Sequence, residues 1–173
     1  MLRRSHGQSV VEMAFVMPLL VLILFGIIDL GYYIYGYSTI YQAARNGAEA
    51  AAQLPPYANR ISPAVAPNAY DRATDPCINT ILTEIQEDAT LFRDLTSTGS
   101  VTISYPPGTA SEPRALSQPI EVSITYNINP LTPVWRFAMM GNNGVMTVQT
   151  TARRSIEALG DNPSSPNKIA CVQ

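Results

Sequence analysis

The stretch MAFVMPLLVLILFGII, Met13–Ile28, is sixteen residues without a charge, and only Asp29 interrupts the apolar run before it resumes through Leu30–Tyr41. A helix that crosses a hydrocarbon core of about 30 Å needs about 20 apolar residues. Met13–Ile28 alone supplies about 24 Å at 1.5 Å per residue. Extension to Tyr37 makes the segment long enough but requires Asp29 to be buried or to snorkel. Arg3 and Arg4 precede the run, and the first cation after it is Arg45. By the positive-inside rule the N-terminus stays cytoplasmic and the remainder lies outside. Five of the nine tyrosines, Tyr32, Tyr33, Tyr35, Tyr37 and Tyr41, cluster at the far end, where an interfacial aromatic belt is expected. The reading is a single-pass membrane protein with an outer domain. A cleaved secretory signal would need its small-residue site close behind the apolar region. Ala48-Glu49-Ala50 offers that pattern about twenty residues too late.

The helical signal continues outward. Gln42–Ala52 is rich in strong helix formers, and Leu54-Pro55-Pro56 ends it. Ala43, Gly47 and Ala51 recur at spacing four, as do Ala44, Ala48 and Ala52. This smooth ridge allows close backbone approach. Two uses are open: docking onto the chain's own outer domain, or lateral packing against identical or related helices. The expected rod of about 45 residues is close to 70 Å long.

Composition narrows the function. The 173 residues leave room for about one domain, and a net charge of −2 with 14% charged residues gives no basic surplus to neutralise phosphates. A nucleic-acid partner is therefore not expected. The only histidine is His6, ahead of the apolar run. No nucleotide-binding glycine loop, metal-ligand cluster or nucleophile–histidine pair occurs. The expectation is no enzyme, no cofactor, no metal and no small-molecule substrate.

The N-terminus has a recognisable pattern. A basic leader, Met1-Leu2-Arg3-Arg4-Ser5-His6-Gly7, ends in glycine, and Glu12 is the fifth residue after it. This looks like the class III signal of type IV-like prepilins, cut after the glycine by a prepilin peptidase. Gly7-Gln8-Ser9-Val10-Val11-Glu12-Met13-Ala14, Pro18, Gly26-Ile27-Ile28-Asp29-Leu30-Gly31 and Ala43-Ala44-Arg45-Asn46-Gly47-Ala48 together resemble the TadE-like family, minor pilins or pseudopilins of the Tad (Flp, tight-adherence) pilus system. His6 stands where an arginine is common, and Met13 where some relatives carry an aromatic. The resemblance covers about residues 7–52.

It implies cleavage between Gly7 and Gln8, with prepilin peptidase and other pilins or pseudopilins as partners. Cleavage would expose an ammonium on Gln8, one helical turn from the Glu12 carboxylate, in poorly hydrated surroundings where an unpaired charge is costly. Pairing of the two charges between adjacent subunits would set axial register. Asp29 near the bilayer centre would cost about 2.5–3.5 kcal/mol. It is expected at the outer boundary, paired with a donor on a partner subunit. Pro18 either kinks or loosens the helix or is simply tolerated in a membrane segment.

The expected fold is α+β, with leader 1–7, long helix 8–54, Pro-rich linker 55–74 and outer domain 75–173. Asp75-Pro76 reads as an N-cap followed by proline at the first helical position. Ile78, Ile81, Leu82, Ile85, Ala89 and Phe92 then mark an amphipathic helix to about Leu95. Its acidic residues, Glu84, Glu87, Asp88 and Asp94, read as a solvated face. Strands are expected over Val101–Tyr105, Ile120–Ile128 and Val145–Ile156, with Asn142-Asn143-Gly144 turning into the last. They should form a small antiparallel sheet, one face covered by the amphipathic helix or the upper rod. Leu131–Met140 is nearly all apolar. It either fills a gap between sheet and rod or touches membrane or a neighbouring subunit. Cys77 and Cys171 both lie on the expected outer side and are expected to pair, tethering the Gly160–Asn167 tail.

A pilus assembly protein, in a minor or tip position, is the leading reading. Alternatives are a permanently anchored extracytoplasmic binding module and a main filament subunit.

Overall fold

The computed structural model describes residues 6–61, 70, 72–89, 91–92, 94–98, 100–107, 112–133, 144–160 and 171. The Arg3-Arg4 leader, the prolines of 62–69, Val134–Met140, the Asn142-Asn143 turn and the 161–170 tail therefore lie outside the described residues. The architecture is α+β, as the patterning indicates: a long N-terminal apolar helix followed by a small three-stranded antiparallel sheet and short helices. The order is α1 (His6–Gln53), α2 (Pro76–Asp88), α3 (Leu95–Thr98), β1 (Ser100–Ser104), β2 (Pro119–Ile128) and β3 (Met146–Ser155).

The chain divides into two compact units. One comprises Met1–Gly36 with Ile128–Met146, the other Tyr37–Asn127 with Thr147–Gln173. The segment between β2 and β3 belongs to the same unit as the first part of α1.

In the first unit, α1 runs unbroken through Pro18. Its missing N–H removes one bond from the ladder without ending the helix. Residues 9–24 are exposed on all sides of the helix, with Phe15 80% and Leu19 61% exposed. Burial begins at Asp29 and returns at Tyr33 and Gly36.

In the second unit, α1 ends beyond Gln53 at Pro55-Pro56, where proline cannot continue the helix. Asp75 caps α2, its Oδ1 accepting from the N–H groups of Cys77 at 2.9 Å and Ile78 at 3.3 Å. Ile78, Ile81, Leu82 and Ile85 turn one buried face inward. The helix stops at Asp88, seven residues before the expected Leu95. Gln86 explains the difference: its side-chain amide donates to the Phe92 carbonyl at 2.9 Å, and its Oε1 accepts from the N–H and hydroxyl of Thr96. Ala89, Phe92 and Leu95 are all buried but are linked by successive turns, Phe92 N–H to Ala89 and Leu95 N–H to Phe92, each 2.9 Å. Apolar spacing of three fits a helix and a chain of turns equally well.

The sheet order is β1-β2-β3, with β2 central. Val101 pairs with Ile124 and Ile103 with Val122, so the side chains alternating on β1 and β2 form one buried face with Ile120 and Val148. The other face is polar. Glu121 meets Arg153 at 2.8 Å, Ser123 meets Thr151 at 3.1 Å and Asn127 meets Thr147 at 2.7 Å, a cross-strand ladder that fixes the β2–β3 register. The Arg153 side chain is 60% exposed, so this ion pair contributes at most about 1 kcal/mol.

The expected Cys77–Cys171 bridge is present, with a Cα–Cα distance of 5.2 Å. It ties the last described residue to the first turn of α2. Gly160 has a φ of +73°, and a Cβ there would stand 3.2 Å from Cys171 Sγ. Glycine suits this turn on both counts.

Candidate functional site

The chemistry expected of this chain is assembly, so the site is α1 and whatever it presents. Gly7 and Gln8 fall in the first turn of α1. Glu12 lies one turn further and is exposed. From Val10 to Ile28 the helix presents large apolar side chains around its circumference. Among the described residues, α1 is the one helix long and apolar enough to cross a membrane, over Ser9–Gln53. Gly26 and Gly31 face open space, since a Cβ at either would meet nothing within 4 Å. The chain's own packing therefore does not require glycine at either position.

Asp29 departs from the sequence reading. Its carboxylate is 1% exposed, but its donors come from its own chain rather than from a partner subunit. Oδ1 accepts from the N–H groups of Leu131 and Thr132, both at 3.0 Å, and Oδ2 accepts from the Thr132 hydroxyl. Thr132 immediately precedes Pro133, so the acid satisfies the two backbone N–H groups that lie just ahead of that proline. One turn along α1, Tyr33 is 3% exposed and its hydroxyl donates to the Gly144 carbonyl at 2.6 Å. Thus both ends of the 131–144 segment are held to α1. The acid and its donors are 102 and 103 residues apart, and short-range patterning carries no trace of such a pairing.

The small-residue ridge is occupied within the second unit. Ala43, Ala44, Ala48 and Ala51 are fully buried and Ala52 nearly so. A Cβ on Gly47 would overlap Ile85 Cγ1 and stand 2.7 Å from Ile85 Cδ1 and 3.6 Å from Val122 Cγ1. Here α1, α2 and the sheet meet around an absent side chain. The Ala52 carbonyl accepts from Glu157 and Ala158, which fastens the end of β3 to the rod. Of the two uses open for the ridge, the structure places these residues against the chain's own domain.

Arg114 was not singled out by sequence reasoning. Its guanidinium donates to the carbonyls of Pro55 at 2.8 Å and Leu159 at 2.6 Å and lies 4.1 Å over the Tyr57 ring. It joins the rod's end to the turn after β3. Nearby, the Tyr105 hydroxyl donates to the Pro56 carbonyl at 2.5 Å. Burial pushes its pKa up to about 12, against the opposing pull of the Arg114 charge. A polar cleft lined by Asn46, Glu49, Gln53, Thr80 and Glu84 carries no histidine or cysteine. Among the described residues no group of three or more His, Cys, Asp or Glu side chains is placed to hold a metal.

Residues 7–49 match the family described as TadE-like protein. No curated protein and no solved structure matches the chain. The matched segment coincides with the apolar helix, and together they fit a Tad pilus-associated, pilin-like protein of a structural rather than enzymatic family.

Proposed function

With a TadE-like segment forming its long helix, we propose that this protein is a pilin-like subunit, inserted with its N-terminus cytoplasmic and cut between Gly7 and Gln8 by a prepilin peptidase. It then enters a Tad or type IV-like pilus or pseudopilus as a minor or tip subunit for adhesion or pilus biogenesis. The observation that carries this reading is the contrast along α1. Beyond Asp29 one side of the helix is buried in the chain's own fold, whereas residues 9–24, within the matched segment, remain exposed all round. Lipid already satisfies an apolar surface, so helix association needs close van der Waals packing and polar pairing instead. Gly26 and Gly31 offer the first, as positions where a neighbouring helix can approach the backbone. Glu12 and the ammonium of a processed Gln8 offer the second, each neutralising a charge that is expensive away from water. The outer domain then rides on the assembled helices.

Intact mass and N-terminal peptide mapping of membrane and sheared-surface fractions test the proposal. A chain beginning at Gln8 in sheared filaments is the expected result. A chain retaining Met1 or Leu2 and confined to the membrane would instead identify a permanently anchored extracytoplasmic module.

A further inference from the structure

Met13–Ile28 reaches only about 24 Å at about 1.5 Å per residue, short of a hydrocarbon core of about 30 Å. Asp29 should end the span there. Yet Asp29 is only 1% exposed, and Leu131 and Thr132 donate three hydrogen bonds to its carboxylate. Tyr33, one turn along, is 3% exposed and donates its hydroxyl to the Gly144 carbonyl. The opposite side stays apolar: Ile27, Leu30 and Ile34 are 66%, 58% and 62% exposed. Leu131, whose own N–H is held by Asp29, is itself 61% exposed. Asp29 is the one Asp, Glu, Lys or Arg in 13–36, and Arg136, outside the described residues, is the one in 128–146.

The pairing is reciprocal. Non-helical backbone is excluded from lipid unless its polar groups are satisfied within the protein, and an acid on a membrane helix must find a partner. The Asp29 carboxylate satisfies the Leu131 and Thr132 N–H groups, and those groups satisfy the carboxylate. Neither could sit at that depth alone.

We propose that the lipid-facing span continues through Asp29 to Ile34, about 22 residues and about 33 Å, and that the turn at Leu131 is a lipid-contacting element at the outer edge of the hydrocarbon. The occupant is lipid because the exposed Leu131 is held at Asp29, within the length of α1 that a hydrocarbon core of about 30 Å requires. This inference rests on the membrane reading of α1 and deepens it.

Depth-dependent fluorescence quenching tests it. Trp135 is the only tryptophan, so Trp135→Phe gives a silent background for Leu131→Trp, with Leu22→Trp as a mid-span reporter. The full-length proteins are reconstituted in phosphatidylcholine–phosphatidylglycerol vesicles brominated either near the headgroup or near the acyl-chain end. Both reporters should lose emission, Leu131→Trp more strongly to the shallow bromines. Adding Asp29→Ala should restore Leu131→Trp emission while Leu22→Trp stays quenched. Thr132→Ala should do so in part and serves if Asp29→Ala does not accumulate. An unquenched Leu131→Trp beside a quenched Leu22→Trp overturns the inference and leaves the span intact. Loss of Leu131→Trp quenching as protein density rises would assign the surface to another copy's helix and equally overturn it. An unquenched Leu22→Trp would remove the membrane reading itself.

Discussion

Asp75 shows how one side chain divides its roles. Its Oδ1 caps α2, while its Oδ2 is buried with no hydrogen-bond partner among the described residues. Loss of a cap costs about 1 kcal/mol. Asp75→Ala should therefore lower the unfolding free energy by roughly that amount, whereas Asp75→Asn keeps an acceptor and should lose less; urea titration distinguishes them. Tyr105 yields a pH prediction. Its folded pKa of about 12 lies above the ordinary tyrosine value of about 10. The unfolded chain therefore releases this proton first as pH rises. The stabilisation is complete below about pH 10 and is lost as pH climbs towards about 12. Tyr70 is shifted the same way by burial, opposed by the N–H of Ile103 that it accepts. Unfolding free energy measured across that alkaline window should fall less steeply for Tyr105→Phe than for the wild type.

At the scale of the element, the glycines of α1 separate two functions of one helix. Gly47 is walled by Ile85 and Val122. Overpacking a filled core costs about 1–3 kcal/mol, and a β-branched residue regains little of the roughly 1 kcal/mol by which alanine exceeds glycine in helix propensity. Gly47→Val should destabilise the protein by about 2–3 kcal/mol in thermal or urea unfolding. Gly26 faces open space, so Gly26→Leu should leave that transition in place. If α1 assembles laterally, the same substitution should reduce recovery in sheared filaments. A normal yield would show that this face of the helix is not used for close packing.

For the whole molecule, the Cys77–Cys171 bridge spans 94 residues. Closing a loop of that length removes about 4–5 kcal/mol of unfolded-state entropy in the chain-entropy model. The Cys77→Ser/Cys171→Ser double variant should lose stability on that order, and reductant should then have no further effect on it. Cys171 follows the Gly160 turn, which is held through Arg114 and Leu159, and the bridge adds the link to α2.

Local pattern was sufficient for the helix, the α2 cap, all three strands and the cysteine pair. Each of those depends on hydrophobic period, turn chemistry or compartment, all properties of short windows or of composition. The N-terminal resemblance was legible for the same reason, being a run of fixed spacings along a single helix. Three matters needed the tertiary structure. The small-residue ridge could serve self-docking or assembly equally well, and only the burial of Ala44 and Ala48 and the wall at Gly47 separate these. The end of α2 depended on Gln86 reaching forward to Phe92 and Thr96. The partner of Asp29 lay 102 and 103 residues along the chain, because a carboxylate needs donors in space and the sequence order of those donors leaves no periodic signal.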